Sequence, residues 1–459
     1  MSKTVSTIDP STGEQITEYR LLSDQQASAA IDRADAAFQS WRMESLSNRG
    51  KVLNKMADLI EQHSDELAQL MTREMGKPIA QGGQECQLCA AICRYSAEHG
   101  PEQLKDETRP LQGGRALITY QPIGVILGIQ PWNFPLYQVI RYSACNIMAG
   151  NTTVLKHASN VFGMSQKIEQ LYLEAGLPEG VFQSLLLDGA GASKLVEHPK
   201  VRGITFTGSD STGKKIAEAA GKVVKKTVLE LGSNDAYVVL SDADIELAVK
   251  TCVQGRVVNN GETCVSAKRF VVADSVYDEF RDQFVAQMAA IKTGDPTQKG
   301  TQLGPIARKD LRETLHEQVE ESVRKGAKIS VGGQIPEGAG FYYPATVLED
   351  VKPGMPAYDG ELFGPVAALI KAADDEDAMR IANDSRYGLG GGIFSRNEDR
   401  AIELARLHFD TGMVNINGYN LAQPHLPFGG VKDSGYGREH GGFGIREFVN
   451  VKAVMISHQ

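Results

Sequence analysis

The stretch Ala116–Gln130, ALITYQPIGVILGIQ, opens a series of short β-rich runs: TTVLKH at 152–157, VFQSLLL at 181–187, VRGITFTG at 201–208, KTVLEL at 226–231 and AYVVL at 236–240. Helix-patterned segments lie between them, and this alternation predicts an α/β fold on a doubly wound parallel sheet. Upstream, the apolar spacing from about Asp24 to Gly100 is helical, in QASAAIDRADAAFQSW, RGKVLNKMADLIEQHSDELAQLM and QECQLCAAICRYSAEH. Downstream of Ala236 a second alternation begins, with DADIELAVKTCVQGRVV helical, KRFVVAD a strand and VYDEFRDQFVAQMAAI helical, and it reaches MVNIN at Met413–Asn417. It reads as a second α/β domain.

A chain of 459 residues suits two or three domains. Its 57 acidic residues against 48 Lys and Arg, with no basic block, argue against nucleic acid or an anionic membrane as the main partner. No apolar stretch approaches the roughly 18 residues of a membrane span, and MSKTVSTIDPSTGEQ carries no basic stretch leading into an apolar run, so no export signal is expected. Six cysteines are too few for a disulfide scaffold, which makes the reducing cytoplasm the expected location.

Two clusters imitate functional motifs. Cys86, Cys89 and Cys93 have metal-ligand offsets, but the same offsets put three small apolar side chains on one helix face, and no second cysteine pair completes a four-ligand site. No metal is expected. Gly208–Lys215, GSDSTGKK, follows a strand and opens a helix like the phosphate loop of a nucleotide hydrolase, yet Lys215 stands where a hydroxyl should hold magnesium. The same turn suits a dinucleotide, whose pyrophosphate would meet free N–H groups, the positive helix end and the Ser209 hydroxyl.

Three residues offer chemistry. Cys264, in NNGETCVSAKR, lies on a connection between a helix-patterned segment and a strand, where a thiol nucleophile can be presented; no His lies nearby in sequence. Glu230, in TVLELGSND, ends an apolar strand, where parallel sheets place ligands; partial burial would bring it into general-base range, and the alternative is an ordinary solvated Glu. Asn133, held between prolines in PWNFP, can donate to a developing oxyanion, although turns use Asn routinely.

In chain order, PWNFP (131–135), KHAS (156–159), FTGS with the glycine that follows (206–213), LELG (229–232), GETC (261–264), ELFGPV (361–366) and PFGGVKDSGYGRE (427–439) resemble the aldehyde dehydrogenase superfamily over essentially the whole chain. The resemblance implies that Cys264 attacks the aldehyde carbon and that Asn133, with a main-chain N–H near Cys264, holds the thiohemiacetal oxyanion. Hydride then passes to a nicotinamide cofactor, and Glu230 activates the water that hydrolyses the thioester, which favours the hydrolytic over the coenzyme-A-acylating branch. It also implies that Glu361 holds the nicotinamide ribose with Phe363 nearby, that Lys156 holds the adenosine ribose, and that Trp132, Gly208, Ser209 and Leu231 line the cofactor cleft.

Ser159 departs from the Glu that strongly NAD-preferring members carry three positions after the lysine; being small and neutral beside Lys156, it predicts NADP preference, with NAD as the alternative. Ser233 replaces the second Gly of the usual LELGG, and His157 replaces the usual Pro. Arg141, eight residues after Asn133, matches an arginine that succinate-semialdehyde dehydrogenases turn on the substrate carboxylate, and PWNFPLYQVIR looks most like the bacterial members of that group. The second substrate arginine of some members is replaced by Val258, with Arg256 two residues earlier. Succinic semialdehyde is the expected substrate, with glutaric semialdehyde or another short aldehyde as alternatives.

The resemblance implies a Rossmann-like cofactor domain (1–104 and 123–233), an α/β catalytic domain (234–448) and a small β oligomerisation element (105–122 and 449–459) that extends a neighbour's sheet in a homodimer or homotetramer. Outside this class stand the nucleotide hydrolase and a catalytically silent binding protein on the same fold. Intact Cys264, Glu230 and Asn133 argue against the silent protein.

Overall fold

The computed structural model describes residues 3–457; residues 1–2 of the expected cofactor domain and 458–459 of the expected oligomerisation element lie outside it. Pro122 and Gly124 divide what reads as one β-rich run into two strands of different sheets, Gly114–Pro122 and Val125–Gln130. Gly124 has φ +132°, and a Cβ there would come within 2.7 Å of the Arg202 side chain, so only glycine turns the chain here.

Val125–Gln130 is central in a six-stranded sheet. On one side lie Thr152–His157 and Phe182–Ser184, and on the other Val201–Thr207 and Lys226–Glu230, all parallel. The chain therefore reverses its direction of winding between Val125–Gln130 and Val201–Thr207, which is where doubly wound sheets open a crevice beyond their C-terminal ends. Gly435–Tyr436, from far along the chain, adds antiparallel to Lys226–Glu230 with Gly435 opposite Glu230. A segment expected with the second domain thus completes the first sheet.

The second sheet has seven strands in the order Lys328–Val331, Thr346–Glu349, Val366–Ala372, Arg269–Ala273, Ala236–Val239, Gly391–Phe394 and Asn415–Ile416, parallel except for the first. Its central strands are buried on both faces, as continuous apolar runs such as AYVV and FVVA require. Helices from the first hundred residues pack with the helix Tyr137–Ala149 into the largest core, which contains Cys86, Cys89 and Cys93. Burial pushes those three thiols up, as expected of apolar packing residues.

The hairpin Thr4–Ile8 with Gln15–Arg20 lies ahead of the helical region, and its strands, half-buried to exposed except at Thr7, carry little apolar alternation. A three-stranded antiparallel sheet places Gly114–Pro122 between Glu107–Leu111 and Val449–Ser457. The last strand is bonded along one edge only and exposes Val451, Val454 and Met455. Among the described residues no helix is long and apolar enough to cross a membrane.

Candidate active site

The reversal of winding puts two loops side by side. After Val125–Gln130 comes Pro131–Leu136 with Trp132 and Asn133, and after Val201–Thr207 come Gly208 and Ser209. The second sheet faces them with the opposite ends of its strands: Ser233 precedes Ala236–Val239, Cys264 precedes Arg269–Ala273, and Glu361 and Phe363 precede Val366–Ala372. Trp132, Asn133, Gln138, Gly208, Ser209, Leu231, Gly232, Cys264, Glu361 and Phe363 are among the residues that share the resulting cleft.

Asn133 is fixed by neighbours that the motif does not reveal. Glu85 accepts N–H bonds from Leu136 and Tyr137, both at 2.9 Å, and so satisfies the start of the helix Tyr137–Ala149, which has no side-chain cap of its own. Lys77 is buried in an ion pair with Glu85, and its ammonium lies 3.8 Å from the centre of the Phe134 ring. On the other flank burial holds the His157 pKa down at about 4, so the ring is neutral: Nε2 donates to the Pro135 carbonyl (2.8 Å) and Nδ1 accepts from the Ala158 N–H (3.0 Å). The departure at His157 thus ties the Lys156 strand to the Asn133 loop.

Cys264 sits after the helix Ile245–Val257 and a tight turn in which Asn259 and Asn260 have φ of +53° and +58°. Such angles are strained for side-chain-bearing residues, and Asn tolerates them best. The Asn259 amide donates to Asn133 O (2.9 Å) and Glu262 O (3.0 Å), while Asn133 Nδ2 donates to Glu262 O (3.1 Å). The loop of the thiol is therefore laced to the loop of the amide donor. Burial pushes the Cys264 thiol up to about 12, with Arg141 and Lys268 pulling it down and Glu361 and Glu230 adding to the rise.

Glu230 ends its strand buried at 2% exposure, with neither carboxylate oxygen hydrogen-bonded to any of the described residues. Gly429 approaches so closely that a Cβ would come within 2.8 Å of Glu230 Oε1. Burial raises the Glu230 pKa, Arg141 lowers it and Glu439 raises it further. A buried carboxylate with free lone pairs has the character of a general base near neutral pH.

Arg141 is 1% exposed and does not line the cleft shared by Cys264 and Asn133. It is paired through Nε with Glu439, donates from Nη2 to Thr207 Oγ1 at 2.9 Å, and lies against the Tyr137 and Phe428 rings. Nη1 has no hydrogen-bond acceptor among the described residues. Arg256 donates from Nη1 and Nη2 to the carbonyls of Val366 and Gly261 and to Ser266 Oγ, and it does not line the cleft.

The cleft suits a dinucleotide. Trp132 and Phe363 meet edge to face at 5.8 Å and form an aromatic wall. A Cβ on Gly232 would come within 2.7 Å of Glu361 Oε2, so a side chain there would displace the carboxylate. The helix Asp210–Lys222 begins without a side-chain cap from Ser209, whose hydroxyl contacts those of Ser211 and Thr212, which leaves its N-terminal N–H groups open to a phosphate. Lys156 ends the strand Thr152–His157, and Ser159 opens the following turn; burial pulls the lysine's pKa down, with Asp188 acting against it.

Sequence reasoning missed Asn259, Lys268, Glu85, Lys77 and Glu439. Asn259 was visible in principle as an Asn pair before the cysteine. Glu85, Lys268 and Glu439 are charged residues with partners far away in the chain, and Lys77 meets Glu85 in the following helix.

This combination of fold and cleft is that of an NAD(P)-dependent aldehyde dehydrogenase. The Aldehyde dehydrogenase family profile matches residues 1–454, and the chain belongs to that family. It is 42% identical over 449 residues to the succinate-semialdehyde dehydrogenase [NADP(+)] of Deinococcus radiodurans, covering 98% of this chain and 94% of that one. It is 44% identical over 447 residues to the succinate semialdehyde dehydrogenase [NAD(P)+] Sad of Escherichia coli K12, covering 97% and 96%. The crystal structure of a succinic semialdehyde dehydrogenase from Streptococcus pyogenes in complex with NADP+ superposes with a TM-score of 0.96 at 37% identity, covering 99% of this chain and 100% of that one.

Proposed function

We propose that the protein oxidises succinic semialdehyde to succinate with a preference for NADP. The observation that carries the substrate assignment is Arg141, a buried cation near Cys264 and Glu230 that keeps unpartnered N–H groups. Glu439 already balances the charge, but the Arg141 Nη1 N–H groups are buried without an acceptor, and a short ω-carboxylate would supply one. The names of the Deinococcus and Escherichia relatives support the same reading.

In this reading Cys264 is the nucleophile, and Asn133 with a main-chain N–H beside Cys264 holds the oxyanion. Glu230 takes the proton of the water that releases the acid from the cysteine. The bound nicotinamide supplies the hydride acceptor. Glu361 and Phe363 hold its ribose side; Trp132, Gly208, Ser209 and Leu231 line its cleft; Lys156 and Ser159 receive the adenosine ribose. The neutral Ser159 beside the Lys156 cation supports a 2′-phosphate there.

The same reading divides the chain into a cofactor domain (1–104 and 123–233), a catalytic domain (234–448) and an oligomerisation element (105–122 and 449–459). The one-sided bonding and exposed apolar face of Val449–Ser457 support docking of a second copy there.

The test is reduced-nicotinamide absorbance with succinic semialdehyde and NADP or NAD supplied separately. Efficient turnover with NADP is expected, and NAD preference overturns the Ser159 reading alone. Turnover of neutral short aldehydes without succinic semialdehyde keeps the enzyme class and removes the substrate.

A further inference from the structure

We propose that Lys268, acting with Ser233, is a positioning residue that joins the cofactor side of the cleft to the nucleophile, through a buried ammonium set between the Glu361 carboxylate and the main chain of Thr263 and Cys264. The inference rests on the reading of Glu361 as the ribose-holding carboxylate and Cys264 as the nucleophile.

Lys268 is 1% exposed. Its ammonium donates to Ser233 Oγ (2.9 Å), Thr263 O (3.1 Å) and Cys264 O (2.6 Å), and lies 3.3 Å from Glu361 Oε1. Three N–H protons therefore have three neutral acceptors, and the compensating charge stands beside them. Ser233 closes the circuit: its N–H donates to Glu361 Oε1 at 3.1 Å, and its hydroxyl also contacts Cys264 O. A glycine at position 233 would keep the first bond and lose the second, so this departure from the usual LELGG adds a link between the two sides.

The base of Lys268 is as fixed as its tip. Its N–H bonds Asp235 O, its carbonyl accepts from Ala368, and the strand Arg269–Ala273 begins at the next residue. An ammonium anchored in the sheet and bonded to the thiol loop transmits a displacement of Glu361 to Cys264 rather than absorbing it. The charge acts in two directions. It favours the ionised form of Glu361, the form that accepts ribose hydroxyls, and it favours the thiolate of Cys264. The other charged groups facing Cys264 are Arg141, Glu361 and Glu230.

The experiment uses the full-length protein and the variants Lys268→Met, Ser233→Ala, Glu361→Gln and Lys268→Met/Glu361→Gln. NADPH affinity is read by fluorescence titration, and the pH dependence of iodoacetamide labelling at Cys264 by peptide mass spectrometry. Lys268→Met is expected to weaken NADPH binding about tenfold and to move the labelling midpoint up by about one pH unit. Ser233→Ala is expected to weaken binding about threefold, consistent with one lost neutral hydrogen bond. The losses of Lys268→Met and Glu361→Gln should be non-additive, because they break one bridge. Unchanged binding and labelling in Lys268→Met, or additive losses in the double variant, overturns the proposal. If Lys268→Met does not fold, unchanged binding and labelling in Ser233→Ala overturns it instead. Wild-type NADPH affinity in Glu361→Gln removes Glu361 from the cofactor site and overturns the cofactor arm, while the labelling midpoint still judges the arm to Cys264.

Discussion

Arg141–Glu439 and Lys268–Glu361 are two cation–carboxylate pairs near Cys264, each with a buried cation, and they differ in what they leave open. Lys268 spends every proton on the protein, on Ser233 and two main-chain carbonyls. Arg141 donates from Nη2 to Thr207 and meets Glu439 Oε2 through Nε, but leaves Nη1 unused, and both oxygens of Glu230 also lack donors among the described residues. Buried polar atoms are rarely left unpaired without cause. The difference sets two expectations under the proposed function: the substrate carboxylate and the water belong on the Arg141 side, and positional order on the Lys268 side.

The largest test asks whether both pairs flank the reacting centre at all. Cys264→Ala should lower aldehyde oxidation by at least about a thousandfold while NADPH binding and the melting temperature stay the same. Residual turnover near wild type would place the chemistry elsewhere and dissolve the comparison.

Glu230→Gln examines the open side next. It should lower kcat by about 100-fold to 1,000-fold while keeping a first-turnover burst of reduced cofactor in rapid-mixing absorbance. The base works deprotonated and burial raises its pKa, so wild-type kcat should rise with pH through a midpoint above the ordinary carboxylate range, and the variant should lack that limb. An unchanged profile in the variant would remove Glu230 as the base.

Arg141→Met sharpens the contrast between the pairs. KM for succinic semialdehyde should rise about 10-fold to 100-fold, with little change for butanal. Because Arg141 lowers the Glu230 pKa, the pH limb should also move upward. Leaving Glu439 without its cation should cost about 3–5 kcal/mol of stability, visible in calorimetry. Arg141→Met/Glu439→Gln should recover the melting temperature but not the KM, which separates recognition from folding.

The smallest expected effect lies on the cofactor side. Ser159→Glu should shift the ratio of kcat/KM for NADP over NAD by about tenfold toward NAD, through repulsion of a 2′-phosphate, with KM for the aldehyde unchanged. An unmoved ratio would detach Ser159 from cofactor choice.

Much of the fold was legible because burial on both faces writes itself into local sequence. Runs such as VILGIQ, VRGITFT and AYVV could only be interior strands, and the glycines of GSDSTG marked the turn into a helix. The misses follow the same logic. The hairpin Thr4–Arg20 had little apolar rhythm to read, and nothing near Gly435–Tyr436 announces that it pairs with a strand some two hundred residues earlier. At the site, motif glycines and Cys264, Glu230 and Asn133 stood out by residue type and position. Lys77, Glu85, Lys268 and Glu439 did not, because a charged residue looks solvated until its partner is brought to it.

The sequence by itself therefore determined the alternation of strands and helices, the turns where glycine alone fits, and the chemical identities of thiol, carboxylate and amide, all of which depend on neighbours within a few residues. Tertiary structure alone decided that the first sheet offers the C-terminal ends of its strands and the second its N-terminal ends to one cleft. It also decided that Asn259 laces Asn133 to the thiol loop, and that Arg141 stays unsaturated while Lys268 does not. Those outcomes depend on which distant groups share a low-dielectric interior, where each unpaired charge is costly and each pairing is set by the packing of whole sheets.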